Sequence, residues 1–156
     1  MNAGKRAIFI MLAGIVAITA SALVRGLTAT IEVRQGTRIR HDDFAFTVRH
    51  VTRATGSTAQ SLAVEILVEN DAKRVDYAWS PTIVYLEDAS GTRFKPDLGN
   101  STPSLTLAAG QSATVTVRFA LPKPASDLRL GFSDGVLMGD VFDFMRYART
   151  RVRLFG

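Results

Sequence analysis

The sequence predicts an all-β protein: an antiparallel β-sandwich preceded by one hydrophobic helix. From residue 31 onward apolar and polar residues alternate with period two, which is the period of a strand with one buried face. Turn-forming residues separate the alternating runs, and no long run with a helical period lies between them. Short strands joined by turns bury their apolar faces by packing as two antiparallel sheets around one core.

The hydrophobic segment spans residues 7–24 and follows a basic stretch, residues 1–6. A helix of this length rises about 27 Å, which suffices to cross a hydrocarbon core of about 30 Å with local thinning. The run exceeds the apolar core of an ordinary secretory signal, and this favours an uncleaved anchor. The small residues at 20–22 keep a cleaved signal as the alternative, and a buried core helix is a third. A linker, residues 25–30, leads to the domain, residues 31–156.

The charges around this segment give conflicting indications of orientation. The positive-inside rule alone places the domain in the cytoplasm, because the basic residues after the segment outnumber those before it. Long domains cross membranes largely regardless of charge, and a basic start before an apolar run is typical of export signals. We therefore expect a single-pass protein of the bacterial inner membrane whose domain faces the periplasm or cell exterior.

Alternation predicts the first two long strands. Phe44, Phe46 and Val48 are expected to point inward, while Ala45, Thr47 and Arg49 between them point outward. The second strand repeats the pattern, with its apolar members at Leu62, Val64, Ile66 and Val68.

The central part of the chain contains a hairpin and a third long strand. A strand from Thr82 to Asp88 is followed by a turn that ends at Gly91, where we expect a positive φ, and by a return strand at 92–95. Alternation then predicts a strand at 113–119, which the prolines at 122 and 124 end, and another at 128–132. Six or seven such strands fit an immunoglobulin-like sandwich.

The tail departs from this pattern. Asp140 is a suitable cap for a short helix from Val141 to about Tyr147. After it, residues 151–155 predict a last strand with Val152 and Leu154 facing inward.

Six segments carry a resemblance to a known family. They are Asp43–Val48, Val68–Asn70, Leu86–Gly91, Leu107–Ser112, Val117–Pro122 and Leu128–Phe132. In this order and spacing they resemble the telokin-like, immunoglobulin-fold extracellular domains of bacteria whose function is unknown. The resemblance covers residues 31–132 and implies the fold and an exported setting. It implies no catalytic residues. The family typically carries a lipoprotein cysteine or a signal at its N-terminus, and this chain lacks that cysteine.

The sequence offers little for catalysis or metal binding. The absence of cysteine excludes disulfides, thiolate metal sites and a thiol nucleophile. Residues 131–135 match the G-x-S-x-G pattern of hydrolases, but His41 and His50 precede the serine, whereas that fold places its histidine after it. His41 also adjoins Asp42 and Asp43, yet neighbouring residues on a strand point to opposite faces, so a weak cation site is the lesser alternative to solvated turn carboxylates. We expect no enzyme, no cofactor and no bound metal.

Two groups of residues are candidates for binding. Tyr77 and Trp79 share one face of an extended segment and would form a stacking platform if exposed, while the alternative places them in the core. The second group is a basic cluster in the tail, which either contacts anionic lipid headgroups or forms a solvated edge strand. Its members are Arg146, Arg149, Arg151 and Arg153.

These observations together predict a non-catalytic, membrane-tethered module of the cell envelope that binds a protein partner or serves a structural role. A small-ligand or metal-binding accessory domain is the alternative. The net charge of +5 is modest, and dedicated nucleic-acid-binding proteins show a denser basic face, so we expect no nucleic acid partner.

Overall fold

The computed structural model describes residues 29–56, 59–122, 126–133 and 149–155. Eleven strands lie within these residues, in one compact unit that begins at Ile31. The strands are β1 (Ile31–Arg34), β2 (Arg38–His41), β3 (Phe44–Thr55), β4 (Ala59–Asn70), β5 (Tyr77–Trp79), β6 (Val84–Glu87), β7 (Arg93–Phe94), β8 (Leu105–Leu107), β9 (Ser112–Pro122), β10 (Arg129–Phe132) and β11 (Thr150–Arg153). One 3₁₀ turn, Pro81–Ile83, precedes β6.

The strands form a β-sandwich, as the sequence predicts. One sheet has five strands in the order β1-β11-β10-β6-β7, and the other has four in the order β2-β3-β4-β9. The short strands β5 and β8 pair separately. Phe46 of β3 and Phe132 of β10 stack between the two main sheets, with ring centroids 4.8 Å apart.

Alternation along β4 and β9 supplies one side of the core. Leu62, Val64 and Ile66 are fully buried, and register places them opposite Phe119, Val117 and Val115. Each side chain of this size contributes about 1.5–3 kcal/mol when it leaves water. The predicted inward residues of both strands are confirmed, because a two-residue period leaves no choice of face once one side is buried.

β3 departs from the predicted pattern in two places. Ala45 and Thr47 are buried although they face outward, because Arg38 of β2 crosses over them to reach Glu69 of β4. Farther along, the register with β4 shifts between Val48 and His50. This bulge inserts one extra residue and resets the inward face of the strand.

One pairing in the five-stranded sheet contradicts the antiparallel prediction. β1 runs parallel to β11, with Ile31 opposite Thr150. No hairpin joins two strands so far apart in the chain, so no tight turn imposes the antiparallel direction. More strands form than the six or seven predicted, because strands of three or four residues, such as β5 and β8, are too short to show a period.

Asn70 ties the end of β4 to the segment that carries β5 and β8. Its buried amide donates hydrogen bonds to the carbonyls of Val75, at 2.8 Å, and Leu107, at 3.0 Å, and its side-chain oxygen accepts one from Ala72 N–H. Gly91 has the predicted positive φ, at 83°, in the hairpin between β6 and β7. Asn70 and Gly91, which belong to two of the six segments that carry the family resemblance, therefore have identifiable structural roles.

Several predictions fall outside the described residues. They are the membrane segment at 7–24, the basic stretch before it, most of the linker at 25–30 and the short helix at 141–147. In the part of the chain that is described, no helix combines the length and the apolar character needed to cross a membrane.

Candidate functional site

The outer face of the five-stranded sheet carries a row of charged residues that crosses all five strands. Register places one residue from each strand directly opposite its neighbours, in the order Arg34, Arg153, Arg129, Glu87 and Arg93. We call these five residues the arginine row. The row just beside it faces the core and is apolar throughout: Val33, Val152, Leu130, Leu86 and Phe94.

Three arginines in this row are immediate neighbours. Arg34, Arg153 and Arg129 lie on β1, β11 and β10, which are adjacent strands. Adjacent strands are about 4.8 Å apart, and like charges directly opposite each other destabilise a sheet. The arrangement therefore concentrates positive charge at a cost to the fold.

Glu32 partly neutralises this cluster. One of its carboxylate oxygens lies 2.6 Å from Arg129 Nε and the other lies 2.6 Å from Arg153 Nη2. The hydrogen bond from Arg153 lowers the pKa of Glu32, burial opposes this, and the charge of Arg129 reinforces the lowering. Arg34 makes no ion pair within the described ranges. Glu32 thus pairs with two of the three neighbouring arginines and leaves a net positive charge.

Glu87 plays the same part at the other end of the row. It lies 3.1 Å from Arg93 Nε and 3.7 Å from Arg151 Nε. The Arg151 side chain is only 7% exposed, and its Nη1 donates a hydrogen bond of 3.0 Å to the carbonyl of Thr150. A buried guanidinium is costly unless it is paired and hydrogen-bonded, so Arg151 is an integral part of the sheet.

Tyr85 lies next to the row and contacts two cations, Arg93 of the row and the neighbouring Arg151. The guanidinium carbons of Arg93 and Arg151 are 4.4 Å and 5.1 Å from the centre of the tyrosine ring, within range of a cation–π contact. The ring lies over Gly131 of β10, where any Cβ would clash with it. Burial raises the pKa of the Tyr85 hydroxyl. Glycine at 131 therefore makes room for this aromatic contact.

The structure divides the basic cluster predicted from the tail. Arg153 belongs to the arginine row, Arg151 is buried beside it, and Arg149 immediately precedes β11. Arg146 lies outside the described residues. Val152 and Leu154 are buried as predicted. The alternative of an edge strand is wrong, because β11 lies between β1 and β10.

The predicted pair of Tyr77 and Trp79 shares one face but is not exposed. The two side chains are 8% and 1% exposed, and the Tyr77 ring stacks on Phe44 with centroids 4.2 Å apart. It also meets Phe46 edge to face. An exposed stacking platform does not form, because β5 pairs with β8 and turns both rings into the core.

Sequence reasoning missed most of the arginine row. Arg34, Arg93 and Arg129 are single charged residues, each next to an inward apolar residue in a different strand. Each strand shows an outward arginine in its own alternation. Whether these arginines lie side by side depends on the register between strands, which the sequence does not display. Among the described residues, no three histidine or carboxylate side chains form a group that could hold a metal ion.

Comparisons with known proteins place this sandwich in context. The yjhA protein of Bacillus subtilis has a TM-score of 0.58 and 17% identity, over 78% of this chain and 98% of that one. The secreted protein MPT63 of Mycobacterium tuberculosis has a TM-score of 0.57 and 11% identity, over 80% and 97%. An uncharacterized β-sandwich protein of Clostridium difficile has a TM-score of 0.52 and 10% identity, over 82% and 96%. Identities this low show a shared fold alone.

No curated protein sequence matches the chain significantly. The family model for a domain of unknown function, DUF4352, matches residues 34–141, which is more than half of the chain. This match confirms the resemblance drawn from the six sequence segments. The chain belongs to the DUF4352 family.

Proposed function

We propose that this chain is a non-catalytic, membrane-tethered module of the bacterial cell envelope that binds an anionic partner through the arginine row. Residues 7–24 form the tether, and residues 31–156 form an immunoglobulin-like domain on the periplasmic or exterior side. The observation that carries the proposal is the alignment of four arginines and one glutamate across all five strands of one sheet.

The chemistry of the row supports anion binding. Glu32 contacts one guanidinium nitrogen each of Arg129 and Arg153, so the other nitrogens of both groups make no ion pair with it. Guanidinium groups recognise phosphates and carboxylates with two parallel hydrogen bonds, and holding them in place beforehand reduces the entropy lost on binding. An anionic partner would also relieve the repulsion among three neighbouring arginines.

The envelope setting is supported by the sequence and by one relative. The apolar run at 7–24 follows a basic start, and a structural neighbour of this chain is a secreted protein.

Protease accessibility of a C-terminally tagged chain in intact spheroplasts tests the setting. We expect the tag to be digested and the undigested chain to keep its full mass. A protected tag would place the domain in the cytoplasm and overturn the envelope proposal. A mass shortened by the first two dozen residues would replace the tether with a cleaved signal.

Retention of the detergent-solubilised chain on immobilised polyphosphate tests anion binding. We expect Arg34→Ser/Arg153→Ser to elute at clearly lower salt than the unmodified chain. The matched control, Arg49→Ser/Arg118→Ser, removes the same charge from exposed arginines of the four-stranded sheet. Equal loss in both variants would show that net charge alone governs retention, and the row would then have no special role.

A second candidate is a small-ligand accessory domain, and one cavity favours it. A cavity of about 460 Å³ opens beside β7, where β6 extends past its two-residue partner strand. Leu98 at this cavity is 54% exposed. Its described lining consists of Thr82, Val84, Tyr85, Arg93, Phe94, Lys95, Pro96 and Leu98.

A further inference from the structure

We infer that the anionic partner of the arginine row is the acidic phospholipid surface of the membrane. This inference rests on the proposed function and names its partner. Soluble polyanions, acidic proteins and lipid headgroups all offer negative charge, so charge alone does not choose among them. The distribution of exposed apolar side chains around the row distinguishes among these partners.

Large apolar side chains that reach solvent are few in the described part of the chain: Val75, Leu98 and Phe155. Two of the three flank the row. Leu98 lines the same cavity as Arg93 and Lys95, near β7. Phe155 lines another cavity with Asp127, Arg129 and Arg153, where β10 begins and β11 ends.

The ring of Phe155 also contacts a cation outside the row. It is 41% exposed, and the guanidinium carbon of Arg53 lies 4.2 Å from its ring centre. Arg53 therefore adds positive charge beside an exposed aromatic ring. At the other flank, Lys95 makes no ion pair with the described residues and stands beside Leu98. Both flanks thus pair an exposed apolar group with a cation.

A bilayer surface satisfies both kinds of group at once. Headgroup phosphates accept hydrogen bonds from arginines, while aromatic and aliphatic side chains enter the boundary between headgroups and acyl chains. A soluble polyanion pairs with the cations but leaves Leu98 and Phe155 in water. Half-buried Tyr85, beside the row, is of the residue type enriched at membrane interfaces.

The test uses the full chain in nanodiscs. The chain contains no cysteine, so Leu98→Cys gives one site for an environment-sensitive fluorophore that replaces the apolar side chain. Thr114→Cys places the same fluorophore on the outer face of the four-stranded sheet as a control. Discs contain either phosphatidylcholine alone or phosphatidylcholine mixed with phosphatidylglycerol.

We expect phosphatidylglycerol to shift the emission at position 98 to the blue and to protect it from aqueous acrylamide, with position 114 unchanged. Each row arginine removed lowers the equilibrium constant for surface contact about fivefold, so Arg34→Ser/Arg153→Ser lowers it about twenty-five-fold. Added salt reverses the contact. Arg34→Ser alone keeps the test valid if Arg153→Ser unfolds the domain, because Arg34 makes no ion pair within the described ranges.

Equal exposure of position 98 in both kinds of disc overturns the inference. If the row variant still loses retention on polyphosphate in that case, the proposed function stands with a soluble partner, such as an acidic protein. If Arg34→Ser/Arg153→Ser changes neither lipid contact nor retention on polyphosphate, the inference and the anion-binding function are both wrong.

Discussion

The outer faces of the two sheets use arginine in opposite ways. On the four-stranded sheet, Arg38 lies between two carboxylates, those of Glu69 and Asp71. On the five-stranded sheet, one carboxylate, Glu32, lies between two guanidinium groups, Arg129 and Arg153. The first cluster is negative in sum and the second positive, although each pairs arginine with carboxylates and reaches across an intervening strand.

This difference separates a structural contact from a candidate binding contact. The two acids satisfy Arg38, which covers Ala45 and Thr47 as it crosses β3. The cluster around Glu32 keeps unneutralised charge on an accessible surface, and the repulsion within it weakens the sheet. The proposed anionic partner would remove this repulsion.

The largest expected change in stability concerns the buried guanidinium of Arg151 in the five-stranded sheet. Arg151→Met removes a guanidinium that is 7% exposed and leaves Glu87 with Arg93 alone. We expect the free energy of unfolding to fall by about 2–3 kcal/mol, because a hydrogen-bonded charge is lost from a buried position. Urea denaturation measures it, with exposed Arg34→Met, which removes no ion pair within the described ranges, as the control. Unchanged stability in Arg151→Met would show that the buried guanidinium is dispensable.

Smaller changes in stability are expected when one exposed arginine is removed from each of the two outer faces. Arg38→Ala should lower the free energy of unfolding by about 0.5–1 kcal/mol, since it removes an exposed ion-pair cluster. Arg34→Ser should change it by less than about 0.5 kcal/mol. Retention on polyphosphate should show the opposite order: Arg34→Ser should lose retention, and Arg38→Ala should keep it. If Arg38→Ala also loses retention, the two faces do not differ in function.

The smallest effect concerns pH. The pKa of Glu32 is lower in the folded chain than its ordinary value of 4.5, so its ion pairs stabilise the fold fully above that value. Their contribution is lost as the pH falls below 4.5 through the folded pKa. Glu32→Gln should therefore lose less stability on acidification than the unmodified chain, as thermal unfolding measures. Glu65→Gln, which makes the same substitution on the four-stranded sheet, is the control.

The sequence predicted the parts of this fold that depend on neighbours along the chain. Alternation identified the inward residues of β4 and β9, and Gly91 identified the hairpin turn. Both signals are local, because a two-residue period and a positive φ are properties of a few consecutive residues. The sandwich follows from them by packing.

Features that depend on distant partners escaped prediction. The parallel pairing of β1 with β11 and the arginine row both require knowledge of which strands are adjacent and in what register. Tyr77 and Trp79 show the same limit, since a two-residue spacing puts them on one face without saying whether that face is inside. Binding residues on a sheet surface are therefore harder to predict than core residues.

The position of β11 also sets the order in which the molecule becomes complete during synthesis. The four-stranded sheet has all its strands once Pro122 has been made. The five-stranded sheet waits for Thr150–Arg153, the strand that fills the gap between β1 and β10. A chain that emerges from its N-terminus first therefore lacks Arg153, and with it the complete arginine row, until β11 has been made.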